Sequence, residues 1–243
     1  AEDIEPARVA AIIVEPVQGE GGFHIAPPEF LKALRAICDQ YGIVLIADEI
    51  QTGFGRTGRM FAMEHSGVEP DLMTVAKSLA GGFPLAGVIG KAQIMDAPAP
   101  GGLGGTYAAS PIGCAAGLAV LEAMEKEQLP ARASHIGNLI TTRLRKLAGE
   151  FSCIGDVRGL GAMVAMELVK EGKADQPDAG LTVELVQAAA RNGLILLSCG
   201  RHKNVVRFLV ALTASDALVG EGLDILERTL RELRSPAARQ RQA

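Results

Sequence analysis

No apolar run in this chain approaches the roughly 18–20 residues that a membrane-spanning helix needs. No block of like charge stands out either. The 24 Lys and Arg stand against 28 Asp and Glu, for a formal net charge of -4. That balance favours neither nucleic acid nor an anionic membrane as a partner. Cysteine is sparse: Cys38, Cys114, Cys153 and Cys199 form no CxxC pair and no dense disulfide framework, which fits a reducing cytoplasm. The four histidines are equally scattered, with no HExxH or Cys/His cluster to hold a metal. The opening residues, AEDIEPARVA, are acidic and polar and do not form a signal peptide. The chain also lacks an initiator Met and enters an apolar strand almost at once, which reads as a cut inside a longer protein; processing would leave the same start.

What is present fits a folded α/β protein. Hydrophobic residues make up 48% of the 243, enough to bury a core in one large domain or two modest ones. Residues 9–14 (VAAIIV), 43–47 (IVLIA), 72–76 and 85–89 read as buried strands. Pro27 and Pro28 open a helix whose apolar stripe is Phe30, Leu34, Ile37 and Tyr41, with Gly42 as its stop. Such apolar strands separated by helices predict a mostly parallel sheet covered on both faces. A flexible glycine-rich loop spans 98–105, and an Ala-rich helix covers 111–126. Pro130 marks the expected domain boundary. Beyond it come a helix over 131–149, strands near 161–168, a helix over 181–192, strands at 194–197 and 205–210, and a last helix from Ser215, a good N-cap, with Leu223, Leu226, Leu230 and Leu233 as its stripe. The reading is therefore part of a large α/β domain over 1–130, a small α+β domain over 131–234, and a disordered tail over 235–243.

Several residues in this frame bear chemistry. Asp48 and Glu49 follow the strand IVLIA, and open α/β sheets bind ligands outside the carboxyl ends of their strands. A helix N-cap or solvated loop acid would look the same. Lys77 ends the segment LMTVAK beside a glycine-rich turn. Partial desolvation there would lower its pKa and suit it to Schiff-base chemistry; a surface lysine with its stem over apolar neighbours is the plainer reading. Together the pair is more specific. A pyridoxal cofactor needs a lysine for its aldehyde and a carboxylate against its ring nitrogen. Thr106 follows a glycine string whose amides suit a phosphate, although the spacing is no dinucleotide fingerprint. Glu15 and Glu20 lie in the turn EPVQGEGG, and Arg207 lies in the strand VVRFLV. Arg207 fits either a buried ion pair or a two-pronged clamp on a substrate carboxylate.

The strings ADEIQTGFGRTG (47–58), EPVQGEGG (15–22), VAKSLAGGFPLAGVIG (75–90) and GGTY (104–107) resemble the signatures of class III aminotransferases of fold type I, nearest to the 4-aminobutyrate subgroup. The resemblance implies pyridoxal 5'-phosphate as cofactor, Lys77 as its Schiff-base and catalytic residue, Asp48 against the pyridine nitrogen and Gln51 beside the ring. It implies Thr106 on the cofactor phosphate, reaching in from the neighbouring subunit of a homodimer. It further implies Arg207 on the α-carboxylate of glutamate or 2-oxoglutarate, Glu20 neutralising Arg207 when the donor has no such carboxylate, and Glu15 in the hydrogen-bonding shell of Gln51. The expected reaction is transfer of an amino group from an ω-amino acid to 2-oxoglutarate. Acetylornithine, ornithine or diamine transaminases, an aminomutase or racemase, and an inactive truncated chain are the other readings. The chain departs from the family at Ala108-Ala109-Ser110 and in FLVALT (208–213). Family members are longer at the amino end, so the isolated chain is expected to be inactive or poorly soluble.

Overall fold

The computed structural model describes residues 4–234, which divide into two compact units. The first comprises the chain up to Val17 together with Ile25–Ala131; the second comprises Gln18–His24 and the chain from Arg132 onward. The expected tail over 235–243 lies outside the described residues.

The first unit is built on a four-stranded sheet: β1 (Ala11–Val14), β2 (Val44–Asp48), β3 (Leu72–Val75) and β4 (Gly87–Gly90), in that spatial order. β1 pairs with β2 and β2 with β3 in parallel, while β4 returns antiparallel to β3. The crossover from β1 to β2 is helix α1 (Pro28–Tyr41). Its proline start needs no N–H donor. Gly42 closes it in the left-handed region at φ 67°, its N–H bonded to the Cys38 carbonyl. A short helix α2 (Ala92–Met95) and the longer α3 (Pro111–Lys126) complete the unit.

The apolar stripe of α1 is not the one expected. Phe30, Ile37 and Tyr41 are exposed, whereas Leu31 and Cys38 are buried and pack with Leu45, Ala47 and Met63. Leu34 belongs to both stripes, so spacing alone could not choose between them; contact with the sheet selects the 31/34/38 face. The expected cover on both sheet faces is also incomplete among the described residues, since Ile13, Val88 and Ile89 are half or more exposed.

The second unit packs helices on an antiparallel sheet. Helix α4 (Leu129–Glu150) carries Pro130 inside its first turn, where proline is tolerated. Strands β5 (Ile154–Leu160), β6 (Met163–Leu168), β7 (Leu197–Cys199) and β8 (Val205–Phe208) lie in the order β5-β6-β8-β7. Helices α5 (Ala179–Arg191) and α6 (Asp216–Leu233) complete it. The Ser215 hydroxyl caps α6 by accepting the Leu218 N–H at 3.2 Å. The core joins Ile136, Leu144 and Leu147 of α4 to Met166, Leu185, Leu226 and Leu230. Gly137 is required: a Cβ there would collide with the Gly161 carbonyl at the β5–β6 turn. β5 was not legible in the sequence, because IGDVRGL carries two glycines and two charges. Its strand state comes from pairing with β6.

Candidate active site

Asp48 is the last residue of β2 and pairs in register with Thr74 of β3. Its Oδ1 accepts from the Thr74 hydroxyl at 3.0 Å and from the Ile50 N–H at 3.1 Å. Two donors on one oxygen orient the carboxylate and leave Oδ2 without a hydrogen bond among the described residues. Lys77 follows β3 by two residues and starts a 3-10 turn, Lys77–Ala80. Asp48 and Lys77 thus leave the carboxyl ends of adjacent parallel strands, the edge where open α/β sheets bind ligands.

The backbone at Lys77 has φ 47°, which is costly for a residue with a Cβ and is typical of functional sites. Buried Gly113 and Gly117 line α3 where it meets the segment after Lys77: a Cβ on Gly113 would stand 3.2 Å from the Pro84 carbonyl, tighter than an ordinary contact, and one on Gly117 would make ordinary contact with the Leu79 carbonyl at 3.4 Å. Lys77 itself is exposed.

Glu49 is fully buried and turns away from this edge. One carboxylate oxygen accepts the Met63 N–H at 2.8 Å, and the other accepts the Thr52 hydroxyl. It therefore ties both ends of the loop 52–63, which follows Gln51, back to the end of β2. Sequence position alone put Glu49 on a par with Asp48; burial and partners separate their roles. The Oε1 of Gln51 is buried without a hydrogen-bond partner. Such an atom is costly unless a further group meets it. An open carboxylate oxygen, an unpartnered amide oxygen and an amine at one sheet edge fit a ring that carries a basic nitrogen, a hydroxyl and an aldehyde.

In the second unit, Arg207 of β8 forms an ion pair with Glu20. Arg207 is largely buried and its Nε has no partner, whereas the Glu20 side chain is 76% exposed. Glu15, half-buried just beyond β1, is engaged in interactions of its own. Thr106 is exposed in the 106–109 turn. The structure thus brings Asp48 and Lys77 to one edge and Glu20 to Arg207, and leaves Thr106 on the surface. Thr74, which orients Asp48, and Arg158, which holds the backbone beside Glu20, had no signal in the sequence; only strand register shows them.

The fold is that of the transaminases. A reconstructed ancestral transaminase matches with a TM-score of 0.86 at 34% identity over 94% of this chain and 52% of that one. The acetylornithine aminotransferase of Elizabethkingia anophelis matches with a TM-score of 0.83 at 34% identity, over 94% and 58%. The chain belongs to the class-III aminotransferase family, whose profile matches residues 2–230. It is 59% identical to the 5-aminovalerate aminotransferase of Pseudomonas putida, over 95% of this chain and 54% of that protein. It is 56% identical to the 4-aminobutyrate aminotransferase of Escherichia coli, with the same coverage. The chain therefore spans about half the length of these relatives.

Proposed function

We propose that this chain serves a pyridoxal-phosphate-dependent transamination that moves the amino group of an ω-amino acid, 4-aminobutyrate or its one-carbon-longer homologue, to 2-oxoglutarate. The observation that carries the reading is the placement of Asp48 and Lys77 at neighbouring strand ends. The relatives named for 4-aminobutyrate and 5-aminovalerate narrow the donor. Bound pyridoxal phosphate supplies an electron sink for the substrate carbon that loses a proton.

The residues of the chain do the rest. Asp48 Oδ2 holds a proton on the ring nitrogen of the cofactor. Gln51 meets the ring's phenolic oxygen, with Glu15 supporting its amide. Lys77 Nζ carries the cofactor between turnovers and, once released, moves a proton as general base. Thr106 is assigned to the cofactor phosphate of a second copy, which makes a homodimer the working assembly. Arg207 binds the α-carboxylate of glutamate or 2-oxoglutarate. Glu20 neutralises it while the ω-donor, which has no carboxylate beside its amine, occupies the site. An unpaired buried arginine costs several kcal/mol, so one site needs this exchange of partners to accept both donors. No described helix is long and apolar enough to cross a membrane; a cytoplasmic location is part of the proposal.

The test is spectroscopic. The protein from the complete reading frame, mixed with pyridoxal phosphate, is expected to develop a yellow absorbance that Lys77→Ala abolishes. 4-Aminobutyrate, 5-aminovalerate and glutamate should each bleach it in a single half-reaction. A colourless wild type overturns the cofactor assignment, and bleaching by acetylornithine or ornithine alone overturns the donor.

A further inference from the structure

The Glu20–Arg207 pair stands on a row of residues that runs across the second unit's sheet. Arg158 of β5 pairs in register with Ala165 of β6, and Ala165 pairs with Arg207 of β8. Residues directly opposite in an antiparallel sheet share a face. The two arginines therefore project from one face, two strand spacings or roughly 10 Å apart, with only a methyl group between them. The turn 18–24 bridges them. Arg207 takes the Glu20 carboxylate. Arg158 grips the Gly22 carbonyl with two donors, Nε at 3.0 Å and Nη2 at 2.6 Å.

Arg158 is itself fixed. Its Nη1 donates to Glu167 Oε2 at 2.6 Å and to Asp156 Oδ2 at 2.7 Å. Buried Asn204 donates to Glu167 Oε1 at 3.2 Å and to the Leu168 carbonyl at 2.9 Å. The turn is built to be held by its backbone. The Gly200 N–H donates to the Glu20 carbonyl at 2.9 Å. Gly22 has φ 117°, and Phe23 is fully buried at φ 59°, a conformation that L-residues adopt only when their surroundings impose it. The Glu20 side chain, by contrast, is mostly exposed.

The geometry points to Arg158 as the positioning residue of the substrate switch: it seats the turn on the Arg158–Ala165–Arg207 row, so that the Glu20 carboxylate can leave and re-form its pair while its backbone stays in place. This rests on the proposed role of Glu20 and Arg207 and makes Arg158 and Ala165 determinants of dual specificity. A loosened turn weakens the pair in the half-reaction that needs it, with the ω-donor. It leaves the glutamate half-reaction, where Arg207 must be free, nearly unchanged.

Two measurements test it. In amide exchange on the protein from the complete reading frame, the Gly22 and Phe23 N–H groups, bonded to the Gly19 and Gln18 carbonyls, should exchange about tenfold faster in Arg158→Leu and in Ala165→Val, which crowds the seat without touching a charge. Arg158→Lys should recover part of the protection, and α4 and α6 should be unaffected. In half-reactions of the protein from the complete reading frame, Arg158→Leu should lower kcat/KM for 4-aminobutyrate about tenfold and that for glutamate by less than about threefold. Unchanged exchange at both amides, or equal losses with both donors, overturns the proposal. A wild type without ω-donor turnover overturns the proposed substrate instead, and the exchange result then decides the seat.

Discussion

Thr74 donates its hydroxyl to Asp48 Oδ1 across the β2–β3 pairing at 3.0 Å, with the two residues directly in register. The bond fixes which carboxylate oxygen remains open. Replacing Thr74 with Val removes the donor at constant shape, so Asp48 keeps only the Ile50 N–H. Cofactor affinity is expected to fall about tenfold, the net value of one hydrogen bond to a charged group. Thr74→Ser should stay near wild type. An absorbance or fluorescence titration with pyridoxal phosphate measures both.

Glu49 is a fully buried acid beside Asp48. Glu49→Ala leaves the buried Met63 N–H and Thr52 hydroxyl unpaired and is expected to destabilise the first unit by about 2–4 kcal/mol. Glu49→Gln retains an acceptor for Met63 and lets the Thr52 hydroxyl turn round to accept, so its loss should be much smaller. Urea unfolding followed by circular dichroism separates the two.

Asp71 joins three segments. Its carboxylate accepts from Arg35 at 2.8 Å, from the Leu45 N–H at 2.8 Å and from Lys91 at 2.7 Å. Burial alone would raise its pKa. The hydrogen bonds from Lys91, Leu45 and Arg35, with the Arg35 charge, outweigh that and hold it at about 2, below the usual 3.8. A depressed carboxylate pKa contributes stability that is fully present above the unfolded-state value and is lost as pH falls through the folded one. About 2 kcal/mol should therefore disappear between roughly pH 4 and pH 2. Asp71→Asn should be less stable at neutral pH and flatter across that window. Melting temperatures from pH 6 to pH 2 give the comparison.

The second unit's core should be intolerant of truncation. Leu226 of α6 is fully buried among residues of the second unit. Leu226→Ala is expected to cost about 2–5 kcal/mol, depending on how far the cavity collapses. At exposed Leu218, on the same helix, the change to Ala should cost well under 1 kcal/mol. Thermal denaturation of the two variants measures the contrast.

Much of the fold was legible where local chemistry and tertiary contact agree. α3 over Pro111–Lys126 and the Ser215 cap of α6 are in place, since a proline start and a serine cap act within one turn. Legibility failed where the partner decides. The buried stripe of α1, the strand state of IGDVRGL and the identity of Asp48's orienting neighbour all depend on residues far along the chain.

By itself the sequence determined the chemical inventory: an acid after one apolar strand, an amine after the next, an arginine inside a third, and motifs specific enough to name a family. Side-chain chemistry and short-range periodicity are written locally, so they can be read locally. Only the tertiary structure decided that Thr74 orients Asp48, that Glu49 is buried as a brace, and that Arg158, Ala165 and Arg207 form one row beneath the Glu20 turn. Register between strands brings together residues tens of positions apart, and no local pattern encodes which of them will meet.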